Sequence, residues 1–335
     1  MATGWLSAGM TTTPVWTSAD GAHWEVLPAD TGTTFWPGMF IVAEAEVPTG
    51  LVVLTQLGAG TSCGGSSCSG AYVSPIMSWT SSDGRTWTPS RSLDLGPQSP
   101  TEDEPMLAAG PAGLVAMSSG PGALVATSSD GVAWRTLPSR TLPTNFVGDY
   151  LQATATGYVA AGRWMTSDSH SDAATLWSAD GRAWTPTRPL PMESAGGSVS
   201  AKASSAVDFV FAGRDGLTAI GWSISNPGAD LWWQSADGRH WHPLPAYPPL
   251  GPATCSYPNC ERHANGTLVG DGERIVALRG GTDAGAWTSH DGLSWQRIPV
   301  FGDLPNAQAT QAVILPGGVF LSDGTNSWFG EAVTE

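Results

Sequence analysis

Ser18-Ala19-Asp20-Gly21-Ala22-His23-Trp24 is the first of six copies of one heptapeptide, S-x-D-G-x-x-W. The other copies occupy residues 81–87, 128–134, 178–184, 235–241 and 289–295. Their aspartates, Asp83, Asp130, Asp180, Asp237 and Asp291, follow Asp20 at successive intervals of 63, 47, 50, 57 and 54 residues. Self-similarity at such a period, built from short apolar runs and turn residues, marks a radial all-β array in which no unit can bury its apolar faces alone. The expectation is a β-propeller. Because the repeat runs through residues 4–333, one domain is expected rather than the two or three that 335 residues alone would suggest.

The Asp130 unit shows the plan of one blade. Apolar runs at 106–110, 114–118, 123–128 and 132–137 are separated by glycine or proline, which reads as four antiparallel strands. The heptapeptide then lies at the turn between the third and fourth strands. Trp16, Ser18 and Asp20 are two apart, so strand alternation puts them on one face. The aspartate can accept backbone N–H bonds inside the turn, the glycine supplies the backbone freedom, and the tryptophan packs back onto the sheet. At the N-terminus, 4–9, 15–18 and 24–27 read as second, third and fourth strands, while the C-terminus offers strands at 310–315, 318–321 and 327–333. In a six-bladed ring, 310–315 completes the N-terminal blade and residue 318 onward forms an extra hairpin. A seven-bladed ring would hold two incomplete blades, so six is preferred.

The repeated phrase resembles the motif of the Asp-box, or BNR-repeat, propellers, a family that includes sialidases, some endoglucanases and photosystem assembly factors. The resemblance covers nearly the whole chain. Asp83-Gly84-Arg85-Thr86-Trp87 has one residue fewer between aspartate and aromatic than the usual pattern, so these are short-form boxes. In that family the box is structural and lies on the face away from the active site. The resemblance therefore implies that Asp20, Asp83, Asp130, Asp180, Asp237 and Asp291 are not catalytic.

Composition narrows the partners. Against 29 acidic residues stand 14 basic ones, with Lys202 the only lysine, for a net charge of −15. Nucleic acid and anionic membranes are disfavoured, because binding to either depends on clustered Lys and Arg. No apolar run approaches the roughly 18 residues a bilayer span requires, and Met1-Ala2-Thr3-Gly4-Trp5 lacks the basic start and apolar core of a signal peptide. Cys63 and Cys68, and Cys255 and Cys260, form two close pairs in turn-rich loops, which suits two local disulfides and an oxidising, extracytoplasmic compartment. A zinc site built from all four cysteines is the alternative. Neither a cofactor nor a resident metal is expected, and an exported protein would have had its leader removed.

Strand direction alternates, so the connections after second and fourth strands share the face opposite the boxes. That face receives the long insertions, at 58–75, 97–105, 164–175, 186–205, 224–230 and 245–265. Acidic residues precede or begin the inner strands there: Glu102, Asp103, Glu104, Asp149, Asp208 and Glu261. Glu44 and Glu46 alternate along another inner strand. Together these residues make either an electronegative funnel for a cation, an amine or sugar hydroxyls, or ordinary solvated charge. Trp36, Trp164, Trp222, Tyr247 and Tyr257 lie in or beside the same insertions and could stack on sugar rings, anchor a peptide or simply pack. Asp168, His170 and Asp172 alternate in one polar loop, as metal ligands or as solvated residues.

The family resemblance would imply an arginine triad on inner strands if the chain were a sialidase. Here Arg85, Arg182 and Arg239 lie inside boxes, Arg135 and Arg297 follow boxes, and the triad is not visible. A hydrolase using two funnel carboxylates, about 5–5.5 Å apart if retaining and about 6.5–9.5 Å if inverting, remains an alternative. So does an assembly factor. The favoured expectation is a non-catalytic, secreted binding propeller that recognises a glycan, a peptide or a protein partner on the face opposite the boxes.

Overall fold

The computed structural model describes residues 2–3, 15–17, 25–26, 39–57, 76–90, 93–96, 105–120, 122–167, 170–188, 190, 193–194, 197–198, 204–223, 230–244, 267–279, 285–298, 311–315, 318–322 and 327–331. Every regular element among them is a β-strand, and no helix is long and apolar enough to cross a membrane.

Five sheets have four antiparallel strands each, ordered as in the chain, and each is named here by its box aspartate. The Asp83 sheet contains Met39–Val47, Gly50–Leu57, Ile76–Ser81 and Thr88–Ser90. Met106–Gly110, Gly113–Met117, Val125–Ser128 and Arg135–Thr136 form the Asp130 sheet. The Asp180 sheet follows with Phe146–Thr154, Gly157–Ser167, His170–Ser178 and Thr185–Thr187. The Asp237 sheet has Ser205–Gly213, Gly216–Ser223, Asp230–Ser235 and His242–Pro243. Thr267–Gly270, Ile275–Arg279, Gly285–Ser289 and Gln296–Ile298 complete the set as the Asp291 sheet. In all five the box links the third strand to the fourth. The fourth strands are only two or three residues long, which limits the unpaired backbone that an edge presents.

Both ends of the chain form three-stranded sheets. At the N-terminus Ala2–Thr3 pairs with Val15–Thr17, which pairs with Glu25–Val26; the strand expected at 4–9 lies outside the described residues. At the C-terminus Gln311–Leu315, Gly318–Ser322 and Ser327–Glu331 pair in sequence. The segment 164–175, expected to be a loop, is mostly strand: Gly157–Ser167 and His170–Ser178 run almost into one another. Its Ser, Thr and His residues hid a hairpin whose backbone pairing, rather than apolar alternation, defines it.

The chain divides into two compact units, residues 1–151 with 178–184 and residues 152–177 with 185–335. In the first, Val52 and Leu54 of the Asp83 sheet pack with Leu114, Ala116 and Ala126 of the Asp130 sheet and with Trp134. Val53 points the other way, into a cluster with Met39, Ile41, Met77, Trp79 and Trp87. Strand alternation thus gives each central strand two apolar faces, one for each side of its sheet. In the second unit Phe211, Ile220, Trp232 and Leu244 of the Asp237 sheet pack with Ile275 and Ala277 of the Asp291 sheet. Burying one such side chain is worth roughly 1.5–3 kcal/mol, so these sheets are stabilised chiefly by their neighbours rather than by their own ladders.

Candidate functional site

The two ends of each sheet are built differently. At the box end, five turns share one set of aspartate and serine acceptors. In the Asp130 turn, Asp130 Oδ1 accepts from the backbone N–H groups of Val132 at 2.9 Å and Ala133 at 3.0 Å, and from the Ser128 hydroxyl at 3.1 Å. The Ser128 Oγ in turn accepts from the buried N–H of Gly131 at 2.9 Å. The Trp134 indole N–H closes the turn on the Gly131 carbonyl at 2.9 Å. The same pair of acceptors, aspartate for two backbone N–H groups and serine for that of the glycine, recurs at Asp83, Asp180, Asp237 and Asp291. The donors bound by aspartate are exposed, whereas the glycine N–H bound by serine is buried.

These bonds favour the ionised carboxylate. The Thr86 and Arg85 N–H groups hold the Asp83 carboxyl down at about 2. Burial acts upward on Asp237, yet the N–H groups of His240 and Arg239 together with the His240 ring outweigh it and leave the carboxyl at about 2. Asp130 is lowered by Ala133 and Val132, and Asp180 by Arg182 and Ala183. Asp291 is lowered by Ser294 and Leu293 against the opposing effect of burial.

The box glycine also carries the contact between successive sheets. Its φ lies in the left-handed region, +76° at Gly131, and a Cβ there would come within 2.6 Å of Val52 Cγ2 on the second strand of the preceding sheet. The pattern repeats at Gly181 against Val115, at Gly238 against Val159 and at Gly292 against Thr218. Side-chain hydroxyls of the preceding sheet add bonds to the box backbone, with Ser78 donating to the Gly131 carbonyl at 2.8 Å and Thr187 to the Arg239 carbonyl at 2.9 Å.

The far end is set by the same ladders. Leu217 pairs with Ser235 beside the Asp237 box, so Ser205, Ser223 and Trp222, six residues from the Gly216 turn, lie at the opposite end. Asp208 is the extra residue of a β-bulge between Val207 and Phe209; it is 6% exposed, and Trp222 Nε1 donates to its Oδ1 at 3.1 Å. A bulge re-aims a side chain out of the regular alternation, and here it brings Asp208 to the face that carries Trp222. Nearby, Ser171 donates to the Ser205 carbonyl at 3.2 Å, and Asp172 Oδ1 lies 3.7 Å from His170 Nε2. Trp164 is 6% exposed beneath the Arg188 guanidinium, 3.7 Å from the ring centroid.

Of the residues expected from sequence to contact a ligand, Asp149 is exposed on Phe146–Thr154, while Asp208, Trp164 and Trp222 stand as just described. Glu44 and Glu46 are both exposed, but Glu46 pairs with Leu51 beside the Asp83 box and so lies at the box end of its sheet. Glu102, Asp103, Glu104, Glu261, Trp36, Tyr247 and Tyr257 lie outside the described residues, as do Asp20, Asp168 and the cysteines Cys63, Cys68, Cys255 and Cys260. Sequence reasoning passed over Gln56 and Arg279, which lie in the far-end portions of second strands. Counting residues from the hairpin that starts each second strand would have found both.

No protein-family model matches the chain, and comparison with curated proteins finds no match. Among solved structures, the chain is similar to YCF48 bound to D1 peptide, at 16% identity and a TM-score of 0.46 over 96% of this chain and 84% of that one. It is also similar to a subtype N11 neuraminidase-like protein of A/flat-faced bat/Peru/033/2010 (H18N11), at 10% identity and a TM-score of 0.46 over 93% and 86%. A third similarity is to the SapL1 lectin in complex with alpha methyl fucoside, at 13% identity and a TM-score of 0.38 over 84% and 92%. At TM-scores below 0.5 none of the three carries information about this chain's ligand.

Proposed function

We propose that residues 4–333 form one propeller, six-bladed in preference to seven, that binds a glycan or peptide ligand without cleaving it. The ligand sits on the face opposite the boxes. One observation carries this reading: the sheets agree at the box end and diverge at the far end. The first side chain after the second-strand glycine is apolar in four sheets, as Leu51, Leu114, Tyr158 and Leu217, whereas five residues later, on the same strands or just beyond Gly113–Met117, stand Gln56, Ser119, Arg163 and Trp222. Positions that serve the fold repeat from blade to blade; positions that serve one ligand have no reason to. The box aspartates hold turns and take no part in chemistry, since each of the five described carboxylates is already engaged by its own turn. The reading includes disulfides between Cys63 and Cys68 and between Cys255 and Cys260, supported by the close spacing of each pair, and with them a location outside the cytoplasm; it calls for no nucleic acid, cofactor or membrane insertion.

A glycan and peptide array paired with a hydrolysis screen tests the reading, using wild-type protein and the triple variant Glu104→Gln, Asp149→Asn, Asp208→Asn. The expected result is binding without turnover, weakened in a triple variant that still folds. Unchanged affinity would remove the acidic far-end site. Turnover of a glycoside by wild type, abolished in the variant, would replace the binding reading with a sialidase-fold hydrolase that uses funnel carboxylates.

A further inference from the structure

Gln56 is a polar side chain in an apolar place. Val52 and Leu54 pack against Leu114, Ala116 and Ala126 of the Asp130 sheet, and the register of Gly50–Leu57 on Ile76–Ser81 runs unbroken from Leu51 to Gln56, so Gln56 also faces the Asp130 sheet. The residues opposite agree. Ser78, across from Leu54, donates to the Gly131 carbonyl of the Asp130 box, and Ile76, across from Gln56, belongs to the same cluster as Val52 and Leu54. That cluster also holds Leu93, Leu95 and the partly buried Leu124. The neighbouring Thr55 points the other way and is engaged there, its Oγ1 accepting from Trp79 Nε1 at 2.8 Å. Gln56 is 6% exposed, and its Nε2 is buried without a hydrogen-bond partner. A primary amide kept dry and unpaired costs stability that an apolar side chain of the same shape would not. The cleft is filled by Val52 and Leu54 and tied to the box by Ser78, so the fold has no use for the amide.

We propose that Gln56 anchors a peptide subsite at the far end of the Asp83–Asp130 cleft, an assignment that rests on the far-face binding reading above and narrows its ligand to a peptide. The Gln56 amide donates to one backbone carbonyl of the ligand, and the adjoining apolar side chain of the ligand packs on the far end of the cluster. A half-turn about the last side-chain bond exchanges the two ends of the amide, so the exposed part of Gln56 can present an N–H. The lining selects the class. One carbonyl beside one apolar side chain matches a single amide set beside Ile76 in an apolar cluster, whereas a pyranose would bring several hydroxyls out of water to meet one amide.

Saturation-transfer NMR of the full chain with N-acetyl-leucyl-leucine N-methylamide, and in parallel with methyl α-glucoside, tests this. Wild type is expected to bind the peptide saturably and not the glucoside, with the Gln56 side-chain N–H resonances moving downfield as the peptide is added. Gln56→Met keeps the unbranched shape and loses the donor. It should bind the peptide at least about fivefold more weakly, yet unfold at a urea midpoint equal to or above that of wild type. Thr218→Val also removes a buried unpaired group, but one set against the glycine of a box, and should leave the affinity within about twofold. No saturable peptide binding by wild type overturns the proposal, as does unaltered affinity in Gln56→Met. A Gln56→Met protein that unfolds earlier, or does not fold, would show that the fold itself uses the amide and would overturn it too, and glucoside binding that Gln56→Met abolishes would put a sugar in place of the peptide. Array binding weakened in the Glu104/Asp149/Asp208 triple variant but unaffected by Gln56→Met would leave the far-face reading standing and remove only this subsite; no array binding by wild type would remove both.

Discussion

Gly131 does two jobs that can be separated by mutation. It adopts a φ of +76°, and the place where its Cβ would be is 2.6 Å from Val52 Cγ2, 3.0 Å from Val52 Cγ1 and 3.1 Å from Thr80 Cγ2. Gly122, at a φ of +75°, has nothing within 4 Å of the same position. Gly122→Ala therefore measures backbone strain alone, about 1–2 kcal/mol. Gly131→Ala adds overpacking against a buried neighbouring sheet, about 1–3 kcal/mol more, for a total of about 2–5 kcal/mol. Val52 is fully buried, so Val52→Ala alone is destabilising, but it removes both clashing methyl groups. In the double variant the overpacking term should disappear, leaving it about 1–3 kcal/mol more stable than the sum of the single changes predicts. Urea unfolding followed by tryptophan fluorescence reads all four proteins, provided the slope of each transition is unchanged. Equal losses for Gly131→Ala and Gly122→Ala, or strict additivity with Val52→Ala, would refute the claim that box glycines are where successive sheets meet.

Three further outcomes follow from the box and the cysteines. Ser128→Ala leaves the buried Gly131 N–H without its acceptor and should cost about 1–3 kcal/mol, whereas Asp130→Ala frees donors that water can reach and should cost about 1 kcal/mol, as loss of a helix N-cap does; urea midpoints in the opposite order would contradict this division. Because Asp83 is held at about 2, below its ordinary 3.8, its contribution is fully present above 3.8 and is lost as pH falls toward 2, so the stability gap between wild type and Asp83→Asn should close over that window; a gap that stays constant on acidification would show that the charge does not matter. Non-reducing peptide mapping should recover the pairs Cys63–Cys68 and Cys255–Cys260, and four free thiols or stoichiometric zinc would remove the argument for an oxidising compartment.

The parts of the architecture that rest on local chemistry were legible in the sequence. The Asp130 unit was read as strands at 106–110, 114–118, 123–128 and 132–137, and it forms Met106–Gly110, Gly113–Met117, Val125–Ser128 and Arg135–Thr136. The errors at its edges arise where the box turn consumes residues that look strand-like, such as Val132, whose N–H goes to Asp130 instead of to a ladder. The role of serine was not legible, because nothing in S-x-D-G says that the glycine N–H is the buried donor. Nor was the burial of Asp208, since a bulge is a ladder property and Ser205-Ala206-Val207-Asp208-Phe209 reads as ordinary alternation. Trp164 looked like a loop aromatic because the hydroxyl-rich run after it resembles a loop, yet backbone pairing extends Gly157–Ser167 through it. Arg279 was legible only by register, four residues beyond Ile275, which pairs with Ser289 at the box.

The most direct test of the division between a folding end and a binding end is hydrogen–deuterium exchange on the full chain, with and without the glycan or peptide found by the array. The account predicts slower exchange on binding at the far ends of the sheets, in peptides covering 204–209, 221–223 and 278–279, with no change in the box turns 81–87, 128–134, 235–241 and 289–295. Protection concentrated in the box turns, with the far ends unchanged, would contradict it.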